Sequence, residues 1–584
     1  MEATAGDKAP RQVAPERPDH EVVIVGSGFS GLGMAIRLKE AGVHEFVVIE
    51  KAGSLAGTWR ENTYPGCACD VPSHMYSFSF EPNPDWSEMY APQHEIRDYL
   101  ERCADKYGLR AHLRFNARAA SATWDSDAAL WRCVVDGPSG REELTARFIV
   151  FGTGGLHVPA EPDFPGIESF EGHVFHSAEW NHEVDLDGKR VAVVGTGASA
   201  IQFVPEIAPQ VERLDLYQRT APWVLPKLDR RIPRFERRLY RRFPALQRAY
   251  RRGIYWYLEL AILRGVQSER FGRLFEWMGR RNLERQVSDR EKRRKLMPSY
   301  EFGCKRILMS NTYYRALDRR NADVVTDGIA EIRPRSIVDA AGVEREVDVI
   351  ILGTGFDTQA MASSVALRGE GGRLLADEWA ETGIQAHRGT MIAGYPNLFF
   401  LLGPNTGLGH NSVVFMIECQ IRLALQAMQR ARAAGPAGIA PRADVQAAYN
   451  ERLQEELKGA VWSRSCKSWY VDAHGRNITL WPHETWRFRS ELLRLRPSEY
   501  ELVGAGATIE RAIERRSGRA WAPRFVGGAL AFRGILQPLT DLRAMRSRQL
   551  PEALRLADPA NGALDGQDPL LGIAASVPEE ERVD

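Results

Sequence analysis

From Glu21 the chain reads EVVIVGSGFSGLGMAIRLKEAGVHEFVVIEK. An apolar β-branched run, Val22–Val25, is followed by glycines, a stretch with apolar positions at helical spacing, and a second apolar run that ends on Glu50. Such a run is too short for a helix and suits a strand buried on both faces of a parallel sheet. The same order recurs from Arg190 in RVAVVGTGASAIQFVPEIAPQVERLDLYQRT. Between the two units, Arg132–Asp136 and Phe148–Phe151 (followed by GTGG) predict small strands connecting two α/β halves. Residues 230–297 read as helical, broken only by Pro233, Pro244 and a few glycines. A strand pattern returns at 345–352 and again at Asn397–Leu402. The stripe Val414, Ile417, Ile421 and Leu425 predicts a long helix from about Ser412 to Ala433.

Composition narrows this picture by exclusion. A chain of 584 residues is long enough for several domains. Lys plus Arg is 77 against 76 for Asp plus Glu, and this near-neutral balance argues against nucleic acid as a partner. Seven irregularly spaced cysteines make neither a disulfide scaffold nor the paired spacing of a metal site, so no metal is expected. Cys67 and Cys69 stand one residue apart, not in the CxxC spacing of a redox pair, and read as small packing residues. The first 20 residues are polar and lack the apolar core of a signal peptide. With no apolar run of about 18 residues to span a bilayer, a cytoplasmic protein is expected. One region is uneven. From Arg230 to Lys295 basic residues outnumber acidic ones by about three to one, interleaved with Tyr, Trp, Phe and Leu. Basic amphipathic helices can lie on anionic lipid. The reading preferred from sequence is an insert whose apolar face packs over the active site with its arginines in water, so peripheral membrane contact is not favoured.

The glycines carry the first chemistry. Gly26, Gly28 and Gly31 form GxGxxG between a strand and a helix, where the turn, the close backbone approach and the helix N-terminus together suit a pyrophosphate. Glu50 ends the next strand at the spacing of a ribose-binding acid. The second unit has Gly195, Gly197 and Ala200, but its following strand ends on Arg219 and Thr220 rather than a carboxylate. Arg and a hydroxyl hold a 2′-phosphate that an acid would repel. The first site is therefore expected to take FAD and the second NADPH. The fold class expected is α/β with two Rossmann-like dinucleotide-binding domains, a helical insert in the NADP domain and a C-terminal extension. Its expected division is a disordered N-terminus (1–20), an FAD domain (21–155 and 345–502), an NADP domain (156–229 and 298–344), the insert (230–297) and a partly disordered extension (503–584).

Several segments together resemble one family, the type I Baeyer–Villiger monooxygenases, relatives of the flavin-containing monooxygenases. FEGHVFHSAEW holds Phe170, Gly172, His176 and Trp180 at the spacing of that family's fingerprint, closing on Asn181 where Pro or Asp is usual. AGTWRENTYPGCACD is similar to its G-x-W-x4-[YF]-P-G-x3-D stretch through Gly57, Trp59, Tyr64, Pro65, Gly66 and Asp70. GCKRILMSNTYY resembles the segment with the family's Lys–Arg pair, here Lys305 and Arg306, and CKSWYVDAHG places Trp469 at a mobile tryptophan. GHNS at Gly409–Ser412 is also family-typical, and the resemblance runs from about Glu21 to Leu502.

The resemblance implies FAD contacts at Gly26, Gly28, Phe29, Gly31, Glu50, Gly57, Thr58, Trp59, Asp70 and Tyr76. It implies NADP contacts at Gly195, Thr196, Gly197, Ala198, Ser199, Ala200, Arg219, Thr220, Lys305 and Trp469. Arg306 would stabilise a flavin peroxide that attacks a ketone, Asp70 would orient that arginine, and His176 would be a linker residue held by hydrogen bonds rather than an acid–base group. The implied reaction consumes NADPH and O2 and converts a ketone to an ester or lactone. Two other readings stay open from sequence: oxygenation of a sulfur or nitrogen atom by the same flavin, and a flavoprotein binding or sensing module without turnover.

Overall fold

The computed structural model describes residues 17–357, 364–464, 469–472 and 474–504. Most of the expected N-terminal tail (1–16) and nearly all of the C-terminal extension (505–584) lie outside the described residues.

Two sheets organise the chain. In the first, Gly140–Phe151 lies beside His20–Val25, which pairs in parallel with Phe46–Ile49 and through it with Leu113–Arg114. Val22–Ile24 and Phe46–Ile49 are almost completely buried, as expected of strands covered on both faces. Burial of each such side chain stabilises the fold by about 1.5–3 kcal/mol relative to exposure. On the other side of Gly140–Phe151, Leu130–Gly137 and Arg118–Asp125 form an antiparallel meander, and Ala366–Arg368 closes the edge. Phe148–Phe151 is thus no mere connection. It pairs with both His20–Val25 and Leu398–Phe400 at the centre of the first sheet.

The second sheet is entirely parallel, in the order Ala322–Val325, Arg213–Tyr217, Arg190–Val194, Val349–Leu352, His173–His176. This corrects the division expected at residue 345. Val349–Leu352 sits between two strands of the second unit and belongs to it. A wholly apolar VIIL run reveals a doubly covered strand, but not which sheet receives it.

The helix Val413–Ala433 starts where its stripe predicts, with Ser412 Oγ accepting from the Val414 N–H at 3.3 Å. It packs on the helix Phe29–Glu40 because Gly33 leaves room. A Cβ there would stand 3.1 Å from Ile421 Cδ1 and 2.9 Å from the Phe78 ring.

Residues 230–297 are mostly helical, including Arg234–Arg242, Pro244–Tyr257 and Glu269–Gln286, with a π-helical stretch at Leu258–Ile262. The expected sorting of its side chains fails in two respects. Arg251 is not in water, since it donates to His74 O, Ser77 Oγ and Ser77 O. Conversely, Phe235, Phe243, Leu260, Phe271 and Trp277 are exposed. Helical periodicity identifies a face without saying what meets it.

Candidate active site

The first glycine turn is a steric solution. Gly26 has φ +97°, and a Cβ there would come within 2.7 Å of Gly152 O. A Cβ on Gly31 would lie 1.8 Å from Gly26 O, so the helix Phe29–Glu40 can start this close to the strand only through glycine. Gly57, at φ +50°, packs its backbone against that of Gly28, where a Cβ on Gly57 would be 3.4 Å from Gly28 Cα. Bare glycine backbone thus surrounds the helix N-terminus, a cradle that fits the pyrophosphate of a dinucleotide.

At the rim, Glu50 is buried. Its Oε2 accepts from Ser27 N at 3.0 Å and from Ser27 Oγ at 2.7 Å, and Arg60 Nη1 lies 3.1 Å from its Oε1. Together with Ala52 N, which donates to Oε1 at 3.0 Å, these contacts fix the orientation of the carboxylate at the end of its strand. Phe29, Trp59 and Tyr76 join in one aromatic cluster. Trp59 Nε1 donates to Tyr76 Oη at 3.2 Å, and the Phe29 and Tyr76 rings meet edge to face at 5.1 Å. Thr58 is exposed at the start of the short helix Thr58–Glu61.

The second turn repeats the logic. Gly195 has φ +110°, and a Cβ would meet Gly353 O at 2.3 Å. Gly197, Ala198 and Ser199 lead into the helix Ala200–Ile207, and Ala200 is fully buried beneath it. Thr196 Oγ1 donates to Thr220 O at 3.1 Å, tying the turn to the strand end that carries Arg219. Lys305 arrives from another part of the chain. Burial first, and then repulsion from Arg219, lower its ammonium pKa. Two neighbouring cations would suit an anion such as a 2′-phosphate.

Between the units lies the pair expected from sequence. Arg306 Nε donates to Asp70 Oδ2 at 3.2 Å, and Nη2 reaches the same oxygen. The side chains keep 41% and 35% exposure, so the pair lines a surface open to ligands. Burial pushes the Asp70 carboxyl up, but the charge and hydrogen bonds of Arg306 outweigh it and hold it below the usual range. Asp70 in turn raises Arg306, which stays cationic at every working pH. Tyr470 is buried near both groups, with burial pushing its hydroxyl pKa up to about 12, and its ring lies 4.5 Å from that of half-exposed Trp469.

A model of the family described as flavin-binding monooxygenase-like matches residues 19–361. A Baeyer–Villiger monooxygenase of Pseudomonas aeruginosa is 50% identical over 84% of this chain and 93% of its own, and one of Streptomyces coelicolor is 46% identical over 82% and 92%. This chain belongs to the flavin-binding monooxygenase family. Among solved structures, the monooxygenase is similar to an oxidized steroid monooxygenase bound to NADP, with TM-score 0.74, 29% identity, and coverage of 83% of this chain and 99% of that one. It is also similar to OTEMO complexed with FAD and NADP, with TM-score 0.75, 26% identity, and coverage of 84% and 100%.

Several residues of the monooxygenase's site were invisible from sequence. Gln202 stitches the two units together. Its Oε1 accepts from Tyr64 Oη at 3.0 Å, and its Nε2 donates to Ala68 O at 3.0 Å. A Cβ on Gly66 would sit 2.8 Å from Gln202 O, which explains the glycine in the YPG stretch. The two GTG runs, Gly152–Gly154 and Gly353–Gly355, floor the two glycine turns, although sequence marked them only as strand ends. Lys227 is a second cation that lowers Asp70. A repeated GTG after each strand was the one available signal. Gln202 and Lys227 carried none.

The fingerprint residues sit elsewhere, on and beside the edge strand His173–His176 of the second sheet. Gly172 lets the chain pass Asp348 O, which a Cβ would approach to 2.3 Å. Trp180 packs on Phe175 and Phe203, at 5.2 and 5.3 Å. His176 Nδ1 accepts from Ala178 N at 3.1 Å, and burial lowers its pKa against an opposing effect of Gly355. Cys67 and Cys69 are free and buried, and burial pushes the Cys67 thiol up to about 11, away from thiolate chemistry. His410 is paired with the buried Glu259 of the insert at 3.3 Å.

Proposed function

We propose that the protein is a Baeyer–Villiger monooxygenase, a cytosolic enzyme that uses FAD and NADPH to insert one oxygen atom of O2 beside a ketone carbonyl. The overall change is ketone, O2, NADPH and a proton to ester or lactone, NADP+ and water. Bound FAD supplies the ring that accepts hydride and activates O2. The observation that carries the reading is the partly exposed Arg306–Asp70 pair in a chain that also holds two glycine cradles.

The residues divide the remaining work. The backbone at Gly26, Gly28 and Gly57 holds one pyrophosphate, with Glu50 on the ribose. Gly195, Thr196 and Gly197 hold the other, with Arg219, Thr220 and Lys305 on the 2′-phosphate. Arg306 would present a permanent guanidinium to negative charge that develops on the reacting oxygen atoms, and preorganised charge is a strong lever for such a step. Asp70 fixes the direction of that guanidinium and tempers its charge. Trp469 and Tyr470, beside Arg306, would cover the nicotinamide end. NADPH oxidation over a panel of ketones, with a sulfide as control and identification of products, tests the reading. Ester or lactone is expected. Consumption of NADPH that yields sulfoxide but no ester from any ketone would replace it with heteroatom oxygenation.

A further inference from the structure

We propose that the helical insert docks this enzyme on an anionic lipid surface. Single exposed apolar side chains are ordinary, whereas a concentration of them marks a site of interaction. Of fourteen exposed large apolar side chains among the described residues, ten lie between Leu228 and Trp277. Phe235 is 71% exposed, Trp277 60% and Leu260 57%.

They are ordered by helical geometry. Pro244–Tyr257, Leu258–Ile262 and Leu263–Gln267 follow one another without a break. Along them Leu246, Ala249, Gly253, Tyr257 and Leu260 are exposed at steps of three and four residues, while Gln247, Ile254, Leu258 and Leu263 are buried. On Glu269–Gln286 the exposed face presents Phe271, Leu274 and Trp277. This is the layout of an interfacial helix, with one apolar face outward and the other anchored.

Charge identifies the occupant. Arg234, Arg238, Arg242, Arg252, Arg273 and Arg281 are exposed among these apolar residues and make no ion pair among the described residues. Aromatic and aliphatic tips beside unpaired guanidinium groups match acyl chains beneath anionic headgroups. A second copy of the chain is a poorer match, because a two-fold contact would set the same arginines against one another. The docking face also adjoins the catalytic segment. Phe275 stacks on Phe302 at 5.3 Å and 6°, and Glu276 Oε1 accepts from Phe302 N at 3.2 Å, just ahead of Lys305 and Arg306. Docking does not depend on which reaction the site performs.

The experiment is vesicle flotation of the full, FAD-loaded protein. Vesicles of phosphatidylcholine alone are compared with ones containing about one-quarter phosphatidylglycerol, at about 0.05 and 0.5 M salt. Flotation is expected only with the anionic vesicles, several-fold weaker at high salt. Phe271→Ser with Trp277→Ser, and separately Arg234→Gln with Arg238→Gln and Arg242→Gln, should each reduce it by about tenfold. FAD content and Val343→Ser, an exposed apolar site elsewhere, serve as controls for folding and for non-specific loss. No flotation on anionic vesicles at low salt overturns the proposal, as does flotation indifferent to the insert substitutions. A dimer that those substitutions dissociate, with no vesicle binding, assigns the face to a second copy instead.

Discussion

Arg306 and Asp70 are 236 positions apart, yet they meet through two hydrogen bonds on one carboxylate oxygen. Replacing Arg306 by Ala removes the fixed cation and should lower ester formation by at least about 100-fold while FAD is retained, with NADPH consumption diverted to hydrogen peroxide. Parallel assays of ester, peroxide and bound flavin would show whether the loss is confined to chemistry. Arg219→Ala should raise the KM for NADPH by about 10- to 100-fold and leave that for NADH nearly unchanged, since only the 2′-phosphate loses a charged hydrogen-bond donor. Lys305 has a lowered pKa through burial and its neighbour Arg219, so as pH rises it sheds its proton sooner than an ordinary lysine. NADP+ affinity should therefore decline early in the alkaline range. Lys305→Arg should hold it there, and fluorescence titration of NADP+ across that range would detect an absence of the difference. Both Arg306 and Lys305 were legible from a short motif. Lys227 was not, because no local pattern announces a lysine whose field reaches Asp70 from another loop.

At the scale of elements, both nucleotide cradles share a buried parallel strand and a glycine turn closed against a GTG run, but only in the first must the helix begin where a Cβ is missing, since Ala200 takes that place in the second. Gly31→Ala would drive a methyl into Gly26 O, and the purified variant should contain little FAD by flavin absorbance per chain. Ser412→Ala should cost about 1 kcal/mol by removing the cap of the helix Val413–Ala433, which denaturant titration would resolve. Strand and helix positions were readable because burial on both faces and the 3.6-residue period each leave a local trace. The sheet that receives Val349–Leu352 was not readable, since its four apolar residues would suit either one.

For the whole molecule, the question is how an insert of more than sixty residues stays seated. Glu259, fully buried in the π-helical stretch, accepts from Asn411 Nδ2 at 2.6 Å, Thr485 Oγ1 at 2.7 Å and Thr485 N at 3.0 Å, and pairs with His410. Glu259→Ala strands these buried partners and should cost about 3–5 kcal/mol. Burial raises the Glu259 carboxyl, but His410, Thr485 and Asn411 more than offset this and hold it below the ordinary glutamate value. The unfolded chain therefore binds the proton more readily. The contribution is complete above the usual glutamate pKa and fades as pH falls through the lower folded value, below about pH 4.3. Thermal melts of Glu259→Gln should show a shallower loss of stability with acid than the parent protein, and parallel acid slopes would count against this anchor.

The sequence by itself determined the local grammar: two glycine turns with their strands and helices, the acid at Glu50, the absence of one beside Arg219, and the motif holding Arg306. These are legible because pleat, helical period and φ > 0 constrain neighbouring residues. Only the tertiary structure decided which strands share a sheet, that Gln202 binds the YPG stretch to the second unit, that Glu259 seats the insert, and that Phe271 and Trp277 face outward instead of over the site. The physical reason is common to all four. Each is a relation between segments far apart in the chain, and an apolar or charged residue carries in its own identity no record of the partner it will meet.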